Sequence, residues 1–367
     1  MTDSRSNKPA RVLFLEPYYG GSHKAFADGL ADHSIHDITL AVMPARFWKW
    51  RMRGAALHFA KQIERPAEYD LVICSDMMGV ADLKALWGVS SPPIILYMHE
   101  NQLSYPVPDG ERLDYHFAFT NLTSALVAER VVFNSNVHFT EFFDASRRFV
   151  RRLPEFRPSW MVDRIEEKSL VLSPGCELGP RTCPRNEIPL IIWNHRWEFD
   201  KGPERFFRAI EAVRARGCEF RLAILGENSQ AVPTPFLRAR DDLDERIAHF
   251  GFVEDTQSYR RWLERGSIII STATQENFGI SVIEAIHAGC SPLLPRALSY
   301  PEIIPEEFHD AVLYDDEAAL ADMLERLLKA GSQATIPGLA QSMERYSWRV
   351  MGPKYDSLIS ETLEVSR

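Results

Sequence analysis

Short apolar runs recur along this chain, each closed by a polar or glycine-containing turn and followed by a stretch with helical spacing. Runs of about four to eight apolar or β-branched residues bounded by turn formers read as buried strands, and their alternation with helices predicts parallel sheets. Strands are expected at Arg11 to Glu16, Asp37 to Val42, Leu71 to Ser75, Pro93 to Met98 and Arg130 to Ser135, with helices at Ala25 to Leu30 and Asp114 to Ala128. From Leu172 to Pro189 the texture shifts to turn formers (SPGCELGPRTCP), which reads as a linker. A second series then places strands at Leu190 to Trp193, Ala223 to Leu225, Ala248 to Phe252, Ile268 to Ser271 and Ser291 to Leu294. Two such series predict an α/β chain of two Rossmann-like, doubly wound domains rather than one barrel. The expected domains are 1–175 and 176–345, with 346–367 crossing back to the first at the end of a final helical segment, Ala340 to Leu363. Residues 1–10 read as a disordered leader.

Chemistry concentrates where strands meet loops. The stretch IIISTATQENFGISVIEAIHAGCSPLLP (Ile268 to Pro295) is a buried strand, a polar loop and a helix, carrying Glu276 and Glu284 eight residues apart across Phe278-Gly279. The strand delivers Glu276 to its carboxyl end, where open α/β sheets hold ligands. Gly279 lets a backbone come close to a ligand, and a helix starting there has unpaired N–H groups suited to a diphosphate. Capping and a solvated helix face would explain two glutamates equally well. Arg196 and Lys201, five residues apart at the strand end in NHRWEFDKGPERFF, can both reach a pyrophosphate, although such cations are usually surface residues. His99 closes the fourth strand, placed to donate to a sugar hydroxyl or a leaving phosphate. Gly20 and Gly21 between a strand and a helix suggest a phosphate loop, or a plain tight turn.

Two segments pair cations with aromatics or with each other. Arg46, Lys49, Arg51 and Arg53 alternate with Phe47, Trp48 and Trp50, joining phosphate-binding charge to faces on which a base can stack; a core role for the aromatics is the alternative. Arg147, Arg148, Arg151, Arg152 and Arg157 form a dense basic patch opposed only by Glu155, suited to phosphate contacts or to a solvated helix face.

The 367 residues suffice for two cores, and 45% hydrophobic with 25% charged residues is ordinary for a globular protein. A net charge of −9 argues against indiscriminate nucleic-acid binding but leaves room for local basic faces. No run of about 18 uncharged apolar residues occurs, and no apolar signal region follows the polar start, so a cytoplasmic protein without a membrane span is expected. Cys74, Cys176, Cys183, Cys218 and Cys290 are scattered and lack zinc-site spacing, which predicts reduced structural thiols.

The chain resembles GT4-like GT-B glycosyltransferases and, more narrowly, is similar to the tRNA-queuosine mannosyltransferase group. The matching stretches are YYGGSHK (Tyr18 to Lys24), PARFWKWRMRGAALHFA (Pro44 to Ala60), YMHENQLSYPV (Tyr97 to Val107), HRWEFDKGPERFF (His195 to Phe207), LGE (Leu225 to Glu227) and Ser271 to Pro305. The resemblance implies a cleft between two Rossmann-like domains and transfer of mannose from GDP-mannose to the cyclopentenediol of queuosine in the anticodon of tRNA-Asp, with retention at the anomeric carbon and without a metal or other cofactor. By motif, His99, Arg196, Lys201 and Glu276 would serve catalysis. Gly20, Gly21, Gly251, Phe252, Val253, Phe278, Gly279, Ile280 and Glu284 would border the donor. His23, Lys24, Asn101, Gln102 and the two basic segments (Arg46, Trp48, Lys49, Trp50, Arg51 and Arg53; Arg151 and Arg152) would meet the tRNA. The compact linker departs from longer members, which carry an insertion between domains. The competing readings are a GT4 transferase acting on a lipid or small metabolite, and a non-catalytic tRNA-binding protein of the same fold.

Overall fold

The computed structural model describes residues 9–106, 114–226 and 232–366. Val107 and Glu227, which close two of the motifs above, and residues 1–8 of the leader lie outside them. The chain divides into two compact units, Met1–Cys176 with Tyr346–Arg367, and Glu177–Arg345.

In the first unit six parallel strands, β1 (Arg11–Tyr19), β2 (Asp37–Pro44), β3 (Leu71–Ser75), β4 (Ile94–Met98), β5 (Arg130–Phe133) and β6 (Ser169–Val171), line up in the order β2-β1-β3-β4-β5-β6. The direction of winding reverses between β1 and β3, so their carboxyl ends flank a crevice of the kind in which such sheets bind ligands. Alternate residues serve opposite faces: Leu13 and Leu15 enter one apolar cluster, Val12 and Phe14 the other. With both faces covered by helices, the strands read as continuous apolar runs.

The second unit contains β7 (Leu190–Trp193), β8 (Arg221–Leu225), β9 (Ile247–Gly251), β10 (Ile268–Ile270), β11 (Ser291–Pro295) and β12 (Leu313–Tyr314), all parallel, in the order β12-β11-β10-β7-β8-β9. Its switch point lies between β7 and β10. Two short strands, β6 and β12, escape the sequence reading because three and two residues carry no period. Trp48 and Trp50 of the first basic segment lie on the helix Trp48–Gln62.

The C-terminal segment breaks at Ser347, which forms an isolated parallel bridge with Cys176, and continues as the helix Trp348–Val365. Trp348 inserts where Gly29 and Gly175 leave room: a Cβ on either would fall 2.1 or 2.2 Å from its indole. Tyr355 donates to the Leu172 and Ser173 carbonyls at 3.1 and 3.0 Å, fixing the same helix to the end of the first sheet. Trp348→Ala is expected to lower stability by about 3–5 kcal/mol, read as a drop in the denaturant midpoint, because the two glycines cannot refill the cavity.

Candidate active site

In the second unit the carboxyl ends of β7 and β10 carry the expected cations and carboxylates. The 3-10 turn Phe199–Lys201 is tied to the loop after β10. The Thr272 hydroxyl donates to the Lys201 and Gly202 carbonyls at 3.0 and 2.9 Å, and the Thr274 amide to the Asp200 carbonyl at 2.7 Å. Gly202, at φ 61°, permits this approach, since a Cβ there would lie 2.3 Å from the Thr272 carbonyl oxygen. The Lys201 ammonium is thereby held 2.8 Å from the Gln275 carbonyl and 3.4 Å from both the Glu276 and Asp200 carboxylates. Asp200 is buried, whereas Glu276 keeps 17% of its side chain exposed and is reachable by a ligand.

Arg196 is exposed and paired with Glu198 at 3.2 Å. His195 lies buried beside Lys201; burial first, then the lysine charge, pulls its imidazole down to about 3, so it is neutral. Gly279, at φ 102°, precedes the helix Ile280–His287, and Phe278 is buried with its carbonyl accepting from Ser299. Glu284, one turn into that helix, accepts from the Tyr259 hydroxyl at 3.4 Å, and the Asn194 amide donates to the same hydroxyl at 2.9 Å. Burial pushes the Glu284 carboxyl up to about 7, against the opposing pull of Tyr259 and Arg260. Gly251 ends β9 at φ 128°, followed by exposed Phe252 and half-buried Val253.

The switch point of the first unit holds a second cluster. His23 Nδ1 lies 3.2 Å from the Glu16 carboxylate, His99 Nε2 lies 4.0 Å from it, and the two imidazoles stack at 3.9 Å. Burial opposes charge on His23, but Glu16 outweighs it by attraction and hydrogen bonding, with Asp76 and Glu100 adding, and lifts the imidazole to about 9. Burial, with the neighbouring His23 and His138, drives His99 the opposite way, well below the ordinary range. The His99 amide donates to Asp76 at 2.8 Å, and its carbonyl accepts from Asn134 at 2.9 Å, fixing the residue at the strand end. Burial raises the Asp76 carboxyl to about 7. Glu16, His23 and His99 bring one donor atom each within 4.8 Å of one another, a set chemically suited to a divalent transition metal and equally to the ion pair it forms here.

Other sequence expectations fare differently. Gly20 is packed against Ala45, which a Cβ would approach to 2.5 Å, so its smallness serves a close contact at the start of the helix Gly21–His33. Lys24 is exposed and pairs with Asp28. His23 and Asn101 are buried; the Asn101 side chain accepts the Leu103 and Ser104 amides at 2.9 Å and shapes the turn. Gln102 is half-buried and donates to Glu100 at 3.0 Å. Arg51 departs from the expected phosphate contact: it is buried and donates to the Pro44 carbonyl at 3.2 Å, because its helical position faces the core. Arg46, Lys49, Trp50, Arg53, Arg151 and Arg152 are exposed, and Trp48 is half-buried against Phe117. Glu16, Asp76, Asp200 and Tyr259 escaped the sequence reading. Glu16 carried one signal, an acid closing the apolar run RVLFLE.

Comparison with known proteins assigns the chain to a family. The family described as tRNA-queuosine alpha-mannosyltransferase N-terminal matches residues 11–176, and glycosyl transferases group 1 matches residues 189–330. The chain is similar to sucrose-phosphate synthase from Thermosynechococcus elongatus (TM-score 0.70, 13% identity, 97% of this chain and 100% of that one). It is also similar to Anabaena HepE, solved in complex with UDP (TM-score 0.68, 16% identity, 96% and 100% of the two chains). These likenesses establish the GT-B fold class. In sequence the chain is 34% identical over 327 residues to the tRNA-queuosine alpha-mannosyltransferase of Drosophila melanogaster, covering 85% of each. With that identity over most of both sequences, the chain is a glycosyltransferase and belongs to the tRNA-queuosine alpha-mannosyltransferase family.

Proposed function

We propose that this enzyme transfers mannose from GDP-mannose, with retention, to the cyclopentenediol of queuosine in the anticodon of tRNA-Asp, in the cytoplasm and without a metal. The observation that carries the transfer chemistry is the Lys201 ammonium, buried at 3.4 Å from Glu276 and at the carboxyl end of a switch-point strand. A cation there neutralises charge growing on a leaving diphosphate, and a preorganised cation in a shielded site acts more strongly than one in water. Arg196, at the end of the same strand, adds a planar fork toward the diphosphate once its exposed side chain turns from Glu198. Glu276 accepts from sugar hydroxyls and Glu284 from the ribose. The N–H groups opening the helix Ile280–His287 meet the phosphates. The residues from Gly251 to Val253 border the base, with Phe252 offering an exposed ring.

On the acceptor side, neutral His99 donates a hydrogen bond to the transferred sugar. The donor's own phosphate oxygen takes the acceptor proton on the face from which the diphosphate departs, so no protein nucleophile is needed. The tRNA acceptor is supported by the family of the first unit and by that unit's exposed basic and aromatic residues. Among the described residues no helix is long and apolar enough to cross a membrane.

The direct test incubates purified protein with queuosine-containing tRNA and a panel of nucleotide sugars, followed by mass spectrometry of the nuclease digest. A hexose-sized gain on queuosine with GDP-mannose alone is expected. A gain with another donor replaces the sugar, and hydrolysis of nucleotide sugar without any gain replaces the acceptor. Chelation with EDTA is expected to leave turnover unchanged; a loss restored by a divalent ion would overturn the metal-free reading, and absence of that restoration in Glu16→Gln would assign the ion to Glu16, His23 and His99.

A further inference from the structure

Two phenylalanines of the first unit break the same two rules at once. Phe47 has φ 56° and is 72% exposed, and Phe156 has φ 49° and is 87% exposed. A bulky side chain in the left-handed region costs about 1 kcal/mol or more relative to glycine or asparagine, and an exposed ring recovers none of it by burial. Each phenylalanine also sits inside one of the basic segments. Arg46 and Lys49 flank Phe47, and Arg152 and Arg157 flank Phe156.

Those segments lie about a hundred residues apart in sequence, but the fold joins them through one helix, Tyr115–Val127. On one side of the helix Phe117 packs against Trp48 at 5.2 Å and under the Arg53 guanidinium at 5.5 Å. On the other, Tyr115 stacks on Phe149 at 5.3 Å, on the helix that ends in Arg151 and Arg152 and leads into Phe156. Tyr115 is itself half exposed. These ring contacts link the two basic segments, each with its own exposed phenylalanine, into a surface across the start of that helix.

We infer that this surface binds a single-stranded stretch of RNA, with Phe47 and Phe156 each stacking an unpaired base while the surrounding arginines and lysines hold the backbone. Unpaired bases expose π-faces that paired ones hide, and cations beside rings are the signature of such platforms. The inference rests on the tRNA-acceptor reading above and adds the residues that would grip the loop around the modified base.

The test uses the full chain with Phe47→Asn, Phe156→Asn and the double variant. Asparagine suits left-handed backbone, so each variant is expected to fold with an unchanged or higher Tm. Binding of a labelled anticodon stem-loop is expected to weaken roughly five- to a hundred-fold for each stacked base lost, as alanine scans of such platforms show. Fluorescence of 2-aminopurine placed in the loop is expected to be quenched by the native protein and restored in the variants. Affinity for a fully paired duplex of equal length is expected to stay the same. Unchanged loop affinity and quenching in both single variants, or equal losses for loop and duplex, would overturn the inference while leaving the tRNA reading intact. Failure of the native protein to bind the stem-loop would overturn both. Binding to phosphatidylglycerol vesicles, abolished by the same substitutions in a protein that ignores RNA, would reassign the rings to a membrane surface.

Discussion

Glu276→Gln is expected to lower turnover by roughly a hundred- to a thousand-fold while leaving Tm and tRNA affinity nearly unchanged. Glu276 keeps partial exposure, so its charge contributes little to folding, and Lys201 retains the Gln275 carbonyl and Asp200 when it is lost. Lys201→Ala should lower turnover at least as much and also lower stability by about 3–5 kcal/mol, because it removes the ammonium 3.4 Å from the buried Asp200 carboxylate. The two variants therefore separate chemistry from folding at a single ion cluster, when kcat, Tm and tRNA affinity are measured on both. A Glu276→Gln protein with native turnover and a reduced Tm would make the pair a structural ion bridge.

The second large effect falls in the other unit, at Glu16. His23 is lifted to about 9, above its unfolded value near 6.5, so the stability it contributes is fully present below about pH 6.5 and is lost as pH rises through about 9. A shift of this size corresponds to about 3 kcal/mol at the acidic end of that window. Glu16→Gln removes the main source of the lift, leaving burial to act on a histidine with weaker partners. The variant should be less stable than the native protein at pH 6.5, with the difference shrinking by pH 9.5, as followed by chemical denaturation across pH. Its activity profile should shift too, since the imidazolium of His23 stacked on His99 helps keep that ring neutral. Parallel stability curves for the two proteins would deny the ion pair any role.

Much of the layout was legible from pattern. Ten of the strands stand close to where apolar runs and turn formers predicted them, and Glu276, Lys201 and His99 were read at strand ends because a parallel sheet exposes only its carboxyl ends to ligands. What the pattern could not supply is direction around a helix at its ends. Arg51 and Arg53 looked alike in WKWRMR, yet one faces the core and the other lies over Phe117. The aromatic interleaving concealed the helical period there, since half-buried and exposed rings contribute the same apolar letters.

The sequence by itself determined two alternating α/β series, the positions of the reactive residues along them and, through long stretches of shared motif, the family. These are local properties, set by periodicity, turn chemistry and side-chain type within a few residues. Only the tertiary structure decided which of those residues meet. Glu16, Asp76 and His99 lie on or just after three different strands and gather because the winding reverses between β1 and β3. Lys201 reaches Glu276 because Thr272 and Gly202 lock two loops together. The same neighbours set the charge states, raising His23 and lowering His99 although the two side chains are chemically identical. Burial and proximity arise from packing between distant segments, and no window along the chain contains them.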